Sequence, residues 1–158
     1  MTPIRDPVPA DIEPLATIWY DGWRDAHEAI LPDALKRDRT RESFLRRVAA
    51  AMPDIRVAGP PGNPVGFVML KGDELYQLYV AGRARGTGVA RDLIADAERV
   101  LAARGVELAW LHCAIGNDRA GRFYEKSGWR RAGVVTSGLQ TGEGIVSIEV
   151  WRFEKRVR

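Results

Sequence analysis

The spacing of apolar residues along the chain changes period several times. Leu15, Ile18, Trp19 and Trp23 recur at three- and four-residue intervals, which predicts one helical face, with Asp11 placed to cap the helix. A second helix is expected from about Arg41 to Met52, carrying Phe44, Leu45 and Val48 inward. After Pro53 the texture becomes that of strands. Ile55–Ala58, Val65–Lys71 and Glu74–Val80 read as an antiparallel meander, with turns at Gly59–Pro64 and Gly72-Asp73. At Val89 the helical period returns. Val89, Ala90, Leu93, Ile94, Ala97, Val100 and Leu101 share a face that ends at Arg104-Gly105. Val106–Cys113 then reads as a strand and Asn117–Lys126 as a short helix stopped by Gly128. Trp129–Thr136 and Ile145–Phe153 read as a closing hairpin, and Ile4–Arg5 as a short first strand. The order predicts an α/β fold: a mixed sheet with helices on both faces.

Composition narrows the class. The 158 residues, 46% of them hydrophobic, suit one domain over 1–158 and argue against disorder. No apolar run approaches the roughly 18 residues of a membrane span. The N-terminus has no apolar leader, so a cytoplasmic location is expected. Cys113 is the single cysteine, which removes an intrachain disulfide and a cysteine zinc site. The two histidines, His27 and His112, lie far apart with no clustered carboxylates, so no metal is expected. A formal charge of +3 suits an anionic ligand but is too small to argue for nucleic acid.

The most informative segment is Leu78-Tyr79-Val80-Ala81-Gly82-Arg83-Ala84-Arg85-Gly86-Thr87-Gly88-Val89-Ala90. A strand enters a turn with glycines at 86 and 88, and a helix starts at once. Helix N-termini present unpaired N–H groups and partial positive charge, which suits phosphates. A P-loop needs a lysine that this turn lacks. A dinucleotide fingerprint needs a third small residue where Arg91 stands. The glycines alone fit a ligand-free tight turn equally well.

Arg83-Ala84-Arg85-Gly86-Thr87-Gly88 resembles the acetyl-CoA motif of the GNAT N-acetyltransferases, R/Q-x-x-G-x-G/A, in its strand–helix setting. Downstream, Asn117-Asp118-Arg119-Ala120-Gly121-Arg122-Phe123-Tyr124-Glu125-Lys126-Ser127-Gly128-Trp129 resembles the same family's N-x-x-A-x-x-F-Y-x-x-x-G-F/W signature. The resemblance covers roughly Val65–Phe153, and the first sixty or so residues match only in pattern. It implies a GNAT-like acyl-CoA N-acyltransferase fold with a mostly antiparallel twisted sheet. Acetyl-CoA would be the cosubstrate and a primary amine the acceptor, taken to be a small molecule rather than a protein N-terminus or lysine. A non-catalytic acyl-CoA sensor is the competing reading.

By that resemblance the strand Glu74–Val80 splays from Val106–Cys113, and the pantetheine arm lies in the gap. Leu78, Tyr79 and Val80 would meet it, and the Val80 N–H would face the thioester oxygen. Arg85, Gly86, Thr87, Gly88, Val89 and Ala90 would cradle the pyrophosphate. Asn117, Ala120 and Phe123 would line the cofactor side, and Tyr124 would protonate the departing thiolate. The competing role for Tyr124 is packing beside Phe123. Glu74 is the candidate base for the ammonium, against an exposed strand-end carboxylate, and His112 and His27 compete for the role. Trp23, His27, Gln77 and His112 are candidate acceptor contacts; Trp19, Tyr20, Trp23, Ile30 and Leu31 are candidate pocket walls, with helix-spaced Trp19 read as core. Arg37, Arg39, Arg41, Arg46 and Arg47 form a basic row that fits either an acidic substrate or a solvated face. A homodimer through the closing hairpin is an expectation by analogy.

Overall fold

The computed structural model describes residues 2–158. Seven strands form one sheet: β1 (Ile4–Arg5), β2 (Ile55–Ala58), β3 (Gly66–Lys71), β4 (Glu74–Val80), β5 (Leu108–Ala114), β6 (Arg130–Thr141) and β7 (Gly144–Arg156). Their spatial order is β1-β2-β3-β4-β5-β7-β6, antiparallel throughout except where β4 meets β5. Helices α1 (Ile12–His27), α2 (Asp33–Asp38) and α3 (Arg41–Ala51) precede the meander. Helix α4 (Val89–Ala103) follows β4, and α5 (Asp118–Lys126) follows β5.

The two faces of the sheet carry separate cores. On one face, α4 lays Val89, Leu93, Ile94, Ala97 and Leu101 against Val68, Leu70, Leu75 and Leu111, with Tyr124, Trp129 and Phe153 closing that cluster. On the other, α1 and α3 bring Trp19, Trp23, Phe44 and Val48 onto Phe67 and Met69. The helical face predicted for Val89–Leu101 and the mixed sheet with helices on both sides are therefore observed.

Four local readings change. Asp11 does not cap α1. Its fully buried carboxylate accepts from Arg5 at 2.8 and 3.1 Å, from the Val8 N–H at 2.8 Å and from the Gly62 N–H at 2.9 Å, and so ties the first strand to the Gly59–Pro64 turn. Helix α2 was not anticipated, since Asp33-Ala34-Leu35-Lys36-Arg37-Asp38 offers only Leu35 to the core. The first hairpin strand runs to Thr141, five residues past the predicted Thr136, whereas the second starts at Gly144, one residue before the predicted Ile145. Gly138, Gln140 and Gly142 resemble a loop in composition, yet Val135, Ser137, Leu139 and Thr141 keep the alternation going.

The fourth change is in β4. Strict alternation would put Leu75 with Gln77 and Tyr79. The register against β3 shifts between Met69 and Leu70, so Gln77 faces Met69 while Leu75 faces Leu70. This bulge inserts Tyr76 as an extra residue. Leu75 and Leu78 consequently pack together on the α4 face, and Tyr76 and Tyr79 on the α1–α3 face.

Candidate functional site

Strands β4 and β5 run parallel but pair only at Glu74 and Trp110, where the Trp110 N–H reaches the Asp73 carbonyl at 3.3 Å. Beyond that point they part. The Ala81 N–H donates to the Val65 carbonyl at 2.8 Å. Hydrogen-bonded pairs alternate along an antiparallel ladder, so the main-chain groups of Tyr79 turn toward β3 and those of Leu78 and Val80 toward the gap.

Two cavities open on this gap. One, of about 400 Å³, runs from Leu78, Tyr79 and Val80 along Arg85, Gly86, Gly88, Val89 and Ala90, with Asn117, Ala120, Phe123 and Tyr124 opposite. The other, of about 190 Å³, holds Trp23, His27, Glu74, Gln77 and His112. Leu78, Tyr79, Asn117, Ala120 and Tyr124 line both, so the cavities meet at the centre of the splay. Of the residues predicted to bind the cofactor, to act catalytically or to contact the acceptor, only Thr87 lines neither. It is exposed, and its hydroxyl donates back to the Ala84 carbonyl within the loop.

The wider cavity suits a pyrophosphate at its loop end. Gly86 and Gly88 have φ of 77° and 87°, conformations that an L side chain adopts only under strain. Gly88 starts α4 without a side-chain cap, and among the described residues the N–H groups from Gly86 to Arg91 have no intramolecular acceptor. Such a run of unpaired donors at a helix N-terminus is an anion site. Arg85 and Arg119 flank it and share the Asp25 carboxylate at 3.0 and 3.2 Å. Sequence reading missed Gly22, Ala26, Ala84, Arg91 and Arg119 in this wall. Gly22 had a signal, as a glycine inside a helical pattern. A Cβ there would lie 2.5 Å from Tyr79 Cδ1, so glycine lets α1 approach β4.

Asn117 caps α5, its Oδ1 accepting the Ala120 N–H at 3.4 Å. Tyr124 is buried against Phe123, Trp129 and Phe153. Burial, followed by the nearby Cys113 and Tyr79, pushes its phenol well above the usual range. Burial, opposed by Arg131 and assisted by Asp118, pushes the Cys113 thiol up to about 12.

Glu74 stands at the mouth of the splay. Burial pushes its carboxyl up to about 7, with Asp73 assisting against Lys71 and Arg152. His27 is driven the other way, to about 4, by burial that the Trp23 carbonyl only partly offsets, and its buried Nδ1 has no hydrogen-bond partner. Burial and then Arg152 also lower His112, whose ring packs on Trp110 at 4.7 Å between centroids. At neutral pH the cavity therefore holds two uncharged imidazoles and one carboxylate poised to titrate.

The outer wall of this smaller cavity was the least foreseen part. Leu35 and Arg39 come from α2 and the residue after it, Arg47 from α3, and Ser137, Leu139, Ile148 and Val150 from the extended hairpin. The basic row divides. Arg37 pairs outside with Glu143 and Arg41 reaches Thr17, whereas Arg39 and Arg47 turn into the cavity. Leu31 lines the cavity as expected, and Ile30 and Tyr20 do not.

A splayed parallel pair beside a glycine loop that opens a helix is the arrangement that the GNAT resemblance implied. Residues 13–129 match the acetyltransferase (GNAT) family, and the chain belongs to that family. Among curated proteins none matches the chain. Its fold is similar to that of a GCN5-related N-acetyltransferase from Rhodopseudomonas palustris, with a TM-score of 0.75 and 20% identity over 99% of this chain and 96% of that one. It is likewise similar to the PaiA N-acetyltransferase of Thermoplasma acidophilum in complex with coenzyme A, with a TM-score of 0.70 and 18% identity over 99% of both chains. Ribosomal-protein-alanine N-acetyltransferase from Brucella melitensis gives a TM-score of 0.67 and 21% identity over 98% of this chain and 99% of that one. Among the described residues no helix is long and apolar enough to cross a membrane, and no group of three His, Cys, Asp or Glu side chains is placed to hold a metal.

Proposed function

We infer that the protein transfers an acetyl group from acetyl-CoA directly to a small primary amine held in the smaller cavity. The observation that carries this reading is the meeting of the two cavities at Tyr124, with Glu74 in the smaller one. The free N–H groups from Gly86 to Arg91 would hold the cofactor's pyrophosphate, and Leu78, Val80 and Asn117 its pantetheine arm. Bound there, the cofactor supplies an acetyl group activated as a thioester.

An ammonium has no lone pair, so the acceptor must first be deprotonated. Glu74, with a carboxyl near 7, is matched to that task at neutral pH, directly or through a water. His27, near 4, is a much weaker base. As the C–N bond forms, the Val80 N–H donates to the carbonyl oxygen where charge develops. Such a donor is worth about 3–4 kcal/mol elsewhere. Tyr124 gives its proton to the sulfur as the C–S bond breaks. Its raised pKa does not disqualify it. Burial that raises both the Tyr124 phenol and the neighbouring Cys113 thiol would also make a thiolate departing in the same surroundings a stronger base than in water.

A cavity of about 190 Å³ favours a small acceptor, since it is below the roughly 300–1,000 Å³ that drug-sized ligands occupy. The test is CoA-thiol release across a panel of amines with wild type and Tyr124→Phe. Turnover on some amine, reduced about 10²-fold or more in the mutant, is expected. Acetyl-CoA binding without release on any amine supports a sensor instead, and full turnover in Tyr124→Phe removes the phenol from the acid role.

A further inference from the structure

The smaller cavity is lined by three ionisable side chains that carry charge near neutral pH: Glu74, Arg39 and Arg47. Arg39 is bound to Asp38, and its guanidinium also reaches the Gln140 carbonyl at 3.1 Å. Asp38 in turn accepts the Gly142 N–H at 2.8 Å, which locks α2 to the tip of the hairpin. That pair neutralises itself. Arg47 differs. Its guanidinium lies 4.4 Å over the Trp19 ring and donates to the Tyr76 hydroxyl at 3.0 Å, and among the described residues it has no carboxylate at salt-bridge distance.

A half-buried guanidinium set among the Tyr76 phenol and the Trp19 and Phe44 rings, with Arg39 nearby and no carboxylate bonded to it, gains from an anion that completes it. Arg carries five N–H donors in a fork that fits a carboxylate bidentately. The Tyr76 bond and the Trp19 face account for part of that capacity and hold the fork at the cavity wall. Tyr76 stands two residues from Glu74 on β4, and it reaches the α1–α3 face because the bulge inserts it there. The cation on α3 and the candidate base on β4 thus line one cavity, with Leu35, Leu139 and Ile148 among its apolar walls.

We propose that the acceptor is an amino acid: an amine that also carries a carboxylate, which Arg47 binds while Glu74 faces the amine. This names the substrate class of the acetyl-transfer site and rests on that reading. A polyamine would bring a second positive charge beside Arg47, and a peptide N-terminus would bring a neutral amide, so neither completes it.

The test compares matched pairs: each proteinogenic amino acid against its α-amide, with wild type, Arg47→Met and Arg47→Lys. Wild type should acetylate at least one free acid with kcat/KM about 10-fold or more above its amide, the difference lying in KM. Arg47→Met should collapse that ratio toward one, and Arg47→Lys should restore part of it. A structural role alone would lower both members of each pair together. A second arm needs no turnover. Thermal melting of the CoA-saturated protein is followed with N-acetyl amino acids and their amides, and selective stabilisation by an acid, lost in Arg47→Met, is expected. Transfer to amines with acids and amides equal, or with amides or peptides preferred, overturns the proposal and leaves acetyl transfer standing. Acid-selective melting shifts without thiol release on any amine uphold the anion site and overturn the transfer reading.

Discussion

The two cavities are built on opposite principles. The wider one is walled where it matters by main chain: the unpaired N–H groups at the start of α4 and the gap-facing groups of Leu78 and Val80. The smaller one is walled by side chains from α1, α2, α3 and the hairpin, and its chemistry depends on burial. Backbone donors carry no identity of their own, so the cofactor side tolerates wide sequence change as long as the glycines permit the loop. On the proposed reading, side chains of the smaller cavity each set a property: Glu74 the proton affinity, Arg47 the charge, Leu139 and Ile148 the room. One side of the splay fits a constant cosubstrate and the other a variable acceptor.

The largest expected effect strikes the side-chain cavity. Glu74→Gln should lower kcat/KM by about 10²–10⁴-fold and remove the limb that rises with pH through about 7 in wild type. The same change should stabilise the fold at high pH. Because the folded carboxyl titrates near 7, above its unfolded value of about 4.5, its contribution is most favourable below about 4.5 and is lost as pH rises through 7. Melting at pH 8 should therefore show Glu74→Gln more stable by roughly 1–2 kcal/mol, discounted for partial exposure, with the difference vanishing at pH 4. A variant that was inactive but no more stable would mean the carboxylate is well solvated.

A smaller effect is expected on the main-chain cavity. Gly88→Val forces a β-branched residue to a φ of 87° and sets its Cβ about 3.0 Å from the Arg91 guanidinium. The strain is about 1–3 kcal/mol. Titration calorimetry should show acetyl-CoA bound about 10-fold more weakly, with amine KM little changed. Equal weakening of both substrates would break the division between the cavities. The smallest effect tests the hinge between them. Gly22→Ala adds a Cβ only 2.5 Å from Tyr79, whose ring lines both cavities, so KM for acetyl-CoA and for the amine should each rise roughly 3-fold.

The same contrast explains what the sequence made legible. The cofactor side is assembled mostly from two short contiguous runs, Leu78–Arg91 and Asn117–Tyr124, to which α1 adds Gly22 and Ala26. The acceptor side is closed by contacts of long range: Arg47 to Tyr76 across 29 positions, Asp38 to Gly142 across 104 and Arg39 to Gln140 across 101. No local pattern announces such pairs, and a row of arginines on α3 looks alike whether it faces water or a cavity. The bulge at Tyr76 was hidden for a related reason. It follows from register against β3, and alternation within β4 alone points the wrong way.

The most direct test of the account is the initial-rate pattern with acetyl-CoA and a turned-over acceptor both varied. Cavities that meet at Tyr124 allow both substrates to be held at once, which predicts intersecting double-reciprocal lines and no acetylated protein by intact mass. Parallel lines, with an acetyl group trapped on Cys113 or another side chain, would contradict direct transfer.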